Sequence, residues 1–472
     1  MTESRRSIHS IMQTIRLEDI PGLRVTVMGL GLNGGGLASA RFFAERGAAV
    51  TVTDTKDESA LAESVAALSE YDIRYVLGRH DEADFSGADL VIKNPAVRPD
   101  NPFLRAAKTV ETDLSIFLRL CPARIAAVTG SKGKSTTSTA LAWMLNAGGV
   151  KAFLGGNITV SPLGFLDVAR PSDVVVLELS SWQLGDLKGK GALRPCVAAM
   201  TRIVPDHLDR YGTMEAYVAD KRLIYADQGP TDWTVYDIDD PYGRSFASET
   251  RARALAYGSE LPAGAYGVTV PEGGPCVARL PGTDDVELVP ARLLVPGAHS
   301  RRNVAAAAVS AWACGADPRS IASAAATFPG IEHRLEPIRE RRGVRWYNDS
   351  AATVPEAASA AVEAFEEPVV LITGGTDKQL DFQAARAAYR RAEAVVLLAG
   401  TGTDKIRAIL DADSIAYRGP FGDIVTAVAE AARLARPGYV AVLSPGCTSF
   451  GMFKNEFDRG RSYKEAVAAL PD

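Results

Sequence analysis

The chain of 472 residues carries 52 Lys and Arg against 57 Asp and Glu, a net charge of −5, so bulk charge gives it no attraction to nucleic acid or to an anionic membrane surface. Its 47% hydrophobic and 23% charged residues are those of an ordinary globular protein, and no apolar run approaches the roughly 20 residues of a membrane span. The first residues lack the apolar core of a signal peptide. The five cysteines (Cys121, Cys196, Cys276, Cys314, Cys447) show no C-x-x-C spacing, which predicts reduced thiols in a cytoplasm, with no disulfide framework and no zinc site.

The length suggests about three domains. LRVTVMGLG (23–31) reads as a buried strand ending in glycines, and GLASARFFAERG as the helix that follows. AAVTVTDT and DLVIKNP (89–95) are further strands, and this alternation predicts a parallel sheet with helices on its faces. The pattern restarts at RIAAVTGSKGKSTTSTALAWMLNAGG as strand, glycine loop and helix; DVVVLELS (173–180) and CVAAMTRI (196–203) follow as buried strands. Between about 228 and 300, Gly, Pro and Asp break the chain into short strands, a small β-rich excursion. The Ala-rich stretch from Asn303 to Phe328 reads as helical. A third alternation then begins, with VRWYNDS, PVVLITGG, AVVLLAGTG and YVAVLSPG as strands. The fold class predicted is α/β in three domains, with boundaries near 110 and 330.

TGSKGKST (129–136) places a glycine turn between a strand and a helix, where backbone N–H groups and the positive helix end favour phosphate. It has two residues between Gly130 and the Gly133–Lys134 pair, where a standard P-loop has four. Lys134 supplies a cation and the Ser135 hydroxyl a ligand for Mg²⁺. Glu178, ending the apolar strand DVVVLELS, is the natural second holder of that ion. PDHLDRYGTMEAYVADKRLIY (205–225) concentrates Asp206, His207, Asp209, Arg210 and Lys221, with His207 a candidate metal ligand. GLGLNGGG (29–36) matches G-x-G-x-x-G at Gly29, Gly31 and Gly34, with Asp54 ending the next strand; this fits a dinucleotide or another nucleotide diphosphate. In the last third, YNDSAAT (347–353), GGTDKQLDF (374–382) and SPGCTSFGMFKNEFDRG (444–460) put polar clusters at three strand ends, which suggests a second substrate site with Lys378 facing a carboxylate.

GLGLNG, TGSKGKSTTS, GGNI, LELSSWQL, PDHLDR, HRLE, NDSAAT, GGTDK and SFGMFKN together resemble, in order and over nearly the whole chain, the Mur ligase family of ATP-dependent amide-forming enzymes of peptidoglycan assembly. The shortened G-x-x-G-K-[ST] is that family's own phosphate loop. The resemblance implies a Rossmann-like domain (1–110) that binds a UDP-linked substrate, a central P-loop NTPase-like ATP domain (111–329) and a Rossmann-like glutamate domain (330–472). It implies ATP held by Gly130, Ser131, Lys132, Gly133, Lys134, Ser135 and Thr136, with Asn303, Arg334 and Asp349. It also implies two Mg²⁺ ions, on Ser135 and Glu178 and on His207 and Lys221, the latter resembling a carbamylated lysine. Lys134, His207 and Lys221 are the catalytic candidates. Leu32, Asn33, Thr55, Asn94 and Asn157 fall where the family holds the uridine nucleotide and its acyl arm; Thr353, Lys378, Ser449 and Phe457 fall where it holds glutamate. The implied substrates are UDP-N-acetylmuramoyl-L-alanine and glutamate, D-glutamate favoured, joined through an acyl phosphate by a monomer that binds neither nucleic acid nor membrane.

Four features depart from the family pattern. Lys132 stands where Asn is frequent, and Ala351 where many members carry Lys, so Lys132 is expected to supply charge near the phosphates that Ala351 cannot. HSRRN has Ser300 in place of a first Asn, and FKNEFDRG exchanges Glu and Phe around Phe457. The alternatives are a Mur-type ligase adding L-glutamate or another amino acid, a folylpolyglutamate synthase, and a regulatory protein with two nucleotide sites.

Overall fold

A computed structural model of the chain describes residues 15–31, 34–158 and 160–471. It divides into two compact units, one formed by the chain up to Pro290 with Asn303–Ala325, the other by Ala291–Arg302 and the chain from Ala326 onward.

The first unit holds two sheets. In the N-terminal sheet β1 (Arg24–Met28), β2 (Ala49–Asp54), β3 (Ile73–Leu77), β4 (Leu90–Lys93) and β5 (Val110–Glu111) lie in the order β3-β2-β1-β4-β5, all parallel. Val25, Val27, Val50 and Val52 are buried against the helix Gly35–Glu45 through Phe42 and Phe43, while Met28 and Val91 pack with Phe85 and Leu104 in a separate apolar cluster. Both faces are covered, as a parallel sheet requires. The chain runs outward from β1 through β2 to β3 and returns to β4 on the other side. This order opens a crevice above the carboxyl ends of β1 and β4.

The second sheet contains β6 (Arg124–Thr129), β7 (Ala152–Gly156), β8 (Val174–Glu178), β9 (Val197–Met200), β10 (Trp233–Asp237), β11 (Arg253–Gly258), β12 (Gly267–Thr269), β13 (Cys276–Arg279) and β14 (Val286–Val289), ordered β14-β13-β12-β11-β10-β9-β6-β8-β7. Pairing is parallel except at β12/β13 and β13/β14. The stretch that reads as a β-rich excursion is thus the edge of this same sheet. β10 and β11 continue the parallel order around the helix Pro241–Glu249, and only β13 runs against the other strands. All five residues of β8 are buried, which explains its unbroken apolar run.

The second unit holds β15 (Glu336–Arg341), β16 (Val344–Asn348), β17 (Val369–Thr373), β18 (Ala394–Leu398), β19 (Tyr417–Phe421) and β20 (Val440–Leu443) in the order β15-β16-β20-β17-β18-β19, with only β15 antiparallel. Because β16, β20 and β17 are neighbours, the polar stretches after each of them come side by side.

Candidate active site

The short loop after β6 is complete as a cradle. Gly130 has φ 148° and Gly133, which caps the helix Lys134–Ala147, has φ 93°. A Cβ at Gly130 would lie 1.9 Å from Thr201 Oγ1, and one at Gly133 2.3 Å from Asn303 Oδ1, so both positions need glycine for space as well as conformation. Ser131 ties the loop to the segment after β9: its N–H donates to the Arg202 carbonyl at 2.9 Å and its hydroxyl to the Val204 carbonyl at 2.8 Å. Lys134 Nζ curls back over the loop and donates to the carbonyls of Gly130 (3.1 Å) and Ser131 (3.0 Å). Ser135 and Thr136 open the helix, half-buried.

β8 pairs with β6 so that Glu178 stands beside Val128, one residue before the loop begins. Glu178 is 1% exposed. Its Oε1 accepts from Asn157 Nδ2 at 3.0 Å, and its Oε2 is buried without a hydrogen-bond partner among the described residues. An orphaned buried carboxylate oxygen costs about 1–3 kcal/mol or more, a cost that a bound cation removes. The donor set of Glu178, Ser135 and phosphate oxygens is hard oxygen, which suits Mg²⁺.

Lys221, on the helix Met214–Arg222, is buried beneath the same loop. Its Nζ donates to the Gly130 carbonyl at 2.7 Å and lies 4.7 Å from the Tyr217 ring centroid. Burial, aided by the nearby Lys134 charge, lowers its ammonium to about 7 despite Asp206, Asp220 and Glu178. His207 sits in the left-handed region (φ 52°), its Nε2 4.0 Å from Asp206 Oδ1 and its ring 5.1 Å from Trp182 and 6.3 Å from Tyr217. Arg210 stacks on the Trp182 ring at 4.1 Å, while Asp209 is exposed. Lys132 is exposed, 3.4 Å from Asp206 Oδ2.

A cleft of about 1200 Å³ runs through this unit. Lys134, Asn157, Trp182, His207, Tyr217 and Lys221 line it together with Gly29–Gly31, Thr55, Lys56, His80 and Asn94 from the N-terminal sheet. It therefore joins the two glycine loops that the sequence singled out. Leu32 and Asn33 lie outside the described residues. Asp54 serves the chain itself: its two oxygens accept from the backbone N–H of Gly31 (3.2 Å) and Lys56 (2.9 Å), fixing the loop's shape. Asn94 likewise accepts from the Ala96 N–H at 3.0 Å while packing under Gly29. Lys56, His80, Trp182 and Gln183 are cleft residues that sequence reasoning passed over. Gln183 had a local signal, because S-S-W-Q forms a capping box in which Ser180 and Gln183 exchange hydrogen bonds. His80 and Trp182 had none.

In the second unit Asp349 is buried, accepting from Ser444 Oγ (2.7 Å) and the Leu335 N–H (3.1 Å). Burial raises its carboxyl to about 7, against those bonds and the charges of Arg334 and Arg459. Arg334 is exposed, next to Leu335. Ser449 is buried, Thr353 half-buried, and Lys378 exposed with its Nζ 5.8 Å from the Phe450 ring centroid. Phe457 is 48% exposed, its ring 5.7 Å from that of His333. Arg459, fully buried, donates to Ser350 Oγ and to the carbonyls of Ser350 and Cys447, clamping the ends of β16 and β20 together.

Parallel sheets bearing a phosphate loop, a buried acid on the adjoining strand and a long cleft define a nucleotide-binding α/β enzyme. Family models match in chain order: the Mur ligase MurD-like N-terminal domain over residues 23–115, the Mur ligase middle domain over 128–311 and the Mur ligase glutamate ligase domain over 333–447. The chain belongs to the Mur ligase family. It is 44% identical to the UDP-N-acetylmuramoylalanine–D-glutamate ligase of Roseiflexus sp. (strain RS-1), covering 96% of this chain and 99% of that one. To the ligase of the same name from Treponema pallidum (strain Nichols) it is 42% identical, over 96% and 98%. Among solved structures, the UDP-N-acetylmuramate–alanine ligase of Thermotoga maritima shares the fold at a TM-score of 0.59 and 20% identity, over 95% of this chain and 99% of that one.

Proposed function

We propose that this protein is an ATP-dependent ligase that forms an amide between the carboxylate of UDP-N-acetylmuramoyl-L-alanine and the amine of D-glutamate, a step of peptidoglycan precursor synthesis. The observation that carries this reading is the single cleft running from the N-terminal glycine loop to Lys134, His207 and Lys221. A nucleotide diphosphate held at one end brings its acyl arm to the phosphate loop at the other. The D configuration follows the activity named for the Roseiflexus and Treponema relatives. On this reading residues 1–110 bind the UDP substrate through Leu32, Asn33, Thr55 and Asn94, with Asn157 on the acyl arm. Residues 111–329 bind ATP through Gly130–Thr136 and Asn303. Residues 330–472 supply Arg334 and Asp349 for ATP and Thr353, Lys378, Ser449 and Phe457 for glutamate. The enzyme works as a cytoplasmic monomer; among the described residues no helix is long and apolar enough to cross a membrane.

In the reaction a substrate carboxylate oxygen attacks the γ-phosphorus of ATP, the bond to ADP breaks and an acyl phosphate forms. The glutamate amine then attacks the acyl carbon, phosphate leaves and the nitrogen gives up a proton. Lys134, tethered over the loop by two carbonyls, holds charge beside the transferred phosphoryl group. Ser135 and Glu178 would hold one Mg²⁺ and His207 with Lys221 a second; bound there, the ions offset phosphate charge. Lys221 is suited to carbamylation, since a buried amine that is half unprotonated near pH 7 attacks CO₂ through its lone pair and loses one proton. The product is an oxygen ligand where an ammonium would repel metal. A carbamate carbonyl resonance from ¹³C-bicarbonate, present in the protein and absent from Lys221→Met, is the expected sign; its absence from both would remove this assignment.

Phosphate release with each substrate withheld in turn tests the reaction. Release should require both UDP-N-acetylmuramoyl-L-alanine and glutamate, with the D isomer preferred. Full release with ATP alone would overturn the reading in favour of a nucleotide switch.

A further inference from the structure

None of the five cysteines forms a disulfide, yet the fold brings two of them together. Cys196 stands just before β9, opposite the start of β6. Its N–H donates to the Ile125 carbonyl at 2.9 Å and its thiol to the same oxygen at 3.2 Å. Cys314 follows the helix Ala298–Ala313, and its carbonyl accepts from Arg124 Nη1 at 3.1 Å. Consecutive residues of β6 thus hold both cysteines. Trp233, whose N–H donates to the Cys196 carbonyl, closes the same corner against the Trp312 ring at 5.5 Å. Within it the Cys314 thiol donates to Cys196 Sγ.

The two thiols are unequal. The hydrogen bond from Cys314, with the Arg124 charge, draws the Cys196 thiol below its ordinary value against burial and Asp232; the same bond, with full burial, pushes Cys314 well above. Cys196 is half-buried and Cys314 is 1% exposed. The outer sulfur is therefore the one that ionises and meets a reagent, and the inner one is placed to attack it. Burial instead raises the Cys121 thiol, and pushes that of Cys447 up to about 12. Both segments also lead to the phosphate loop. β9 runs from Cys196 to Thr201, packed beneath Gly130, and to Arg202, whose carbonyl accepts from the Ser131 N–H. The helix that ends at Cys314 carries Asn303, packed against Gly133. Neither contact has slack, since a Cβ at either glycine would overlap its neighbour.

We propose that Cys196 and Cys314 are a redox pair: hydrogen peroxide closes them to a disulfide that ties β9 to the helix Ala298–Ala313 and weakens ATP binding at the loop. The Cys196 thiolate attacks one peroxide oxygen, the O–O bond breaks and hydroxide leaves; the sulfur, oxidised by two electrons, becomes a sulfenic acid. The Cys314 sulfur gives up its proton and attacks Cys196 Sγ, the S–S bond forms, the S–O bond breaks and water leaves. Closure draws the sulfurs from hydrogen-bond contact to bonding distance, and a close-packed strand and helix pass the shift to Thr201 and Asn303. The effect on ATP rests on reading Gly130–Thr136 as the ATP loop; the thiol chemistry does not.

Peroxide treatment of the reduced full chain, followed by alkylation and non-reducing peptide mass spectrometry, tests the chemistry. A peptide linked through Cys196 and Cys314 should appear, with the other three cysteines alkylated, and dithiothreitol should abolish it. Calorimetric titration with ATP should show affinity about 3–10-fold weaker after oxidation and restored by dithiothreitol. In Cys314→Ala, which has no resolving thiol, dimedone should trap a sulfenic acid on Cys196 and no linked peptide should form. A fully alkylated Cys196 and Cys314 after peroxide, or a link through another pair, overturns the proposal and needs no variant to fold. A Cys196–Cys314 disulfide with unchanged ATP affinity overturns the switch while leaving the ligase reading intact. Failure of the reduced protein to bind ATP removes the loop reading and the switch with it.

Discussion

Asp349→Asn isolates the effect of burying a carboxyl at the end of β16. The side chain is 8% exposed and accepts one hydrogen bond on each oxygen, from Ser444 Oγ and the Leu335 N–H. Burial raises its pKa from 3.8 to about 7. Between those values the folded chain binds more protons at this site than the unfolded chain, so stability falls as pH rises, and the loss is complete above about 7. The amide has no charge to bury and no such dependence. Two pH units of the window lie between pH 5 and 7, so the variant's advantage over the parent should grow by up to about 2.7 kcal/mol between pH 5 and pH 8, at about 1.36 kcal/mol per unit. Relaxation around the ionised carboxyl reduces this to about 1.5–2.5 kcal/mol. A constant offset comes from Ser444, whose hydroxyl must turn to accept from the new amide. Hydrogen exchange of the Val344–Asn348 and Val440–Leu443 amides reads the stability of this sheet, and comparing the two proteins at the same pH cancels the intrinsic dependence of exchange. The same difference at pH 5 and pH 8 would refute the reasoning.

Other substitutions probe the first unit. Lys132→Ala should leave stability within about 0.5 kcal/mol, because its contact with Asp206 is a long, exposed ion pair, yet raise the KM for ATP about 3–10-fold; unchanged KM and kcat would show that Lys132 does not make up for the charge missing at Ala351. Gly133→Ala combines φ 93° with a Cβ 2.3 Å from Asn303 Oδ1, and urea unfolding should show a loss of about 2–4 kcal/mol together with lost ATP binding. Lys93→Met breaks the buried pair of Lys93 Nζ and Asp186 Oδ2 (2.7 Å, both side chains 5% exposed) and should cost about 3–5 kcal/mol, most of it recovered in Lys93→Met/Asp186→Leu. A double variant as unstable as the single one would mean that the pair does more than cancel its own desolvation.

What the sequence made legible was whatever local chemistry decides. Apolar runs ending in glycine gave the strands and both loops, because a parallel sheet buried on both faces leaves no other pattern and a tight turn onto a helix needs positive φ. The neighbouring places of Lys134 and Glu178 were legible too, since a strand that ends in an acid is informative once a phosphate loop precedes it. What stayed hidden depends on partners far apart in the chain. Asp54 ends β2 where the glycine fingerprint places a nucleotide contact, yet each of its oxygens accepts from the backbone, from Gly31 and from Lys56. The pair Lys93–Asp186 spans 93 residues and joins the N-terminal sheet to the helix that carries Trp182, with no local trace of either partner. His80 is one histidine among five until the fold brings its Nδ1 to within 2.7 Å of Thr53 Oγ1.

Lys221 shows how far position alone can alter a side chain's chemistry. The helix Met214–Arg222 packs on the helix that follows β8 and carries the lysine to within 2.7 Å of the Gly130 carbonyl, where it is 1% exposed and beside a second ammonium, that of Lys134. In water such an amine is protonated and inert towards CO₂. Under this loop burial lowers its ammonium from 10.5 to about 7, and the free amine becomes a major form at neutral pH. Burial has already displaced the ammonium's extra proton; attack on CO₂ would release one more from the nitrogen. The same displacement leaves the phosphate loop beside a group that is not a fixed cation. A lysine beneath a phosphate loop is, in this setting, a side chain whose charge the fold can remove.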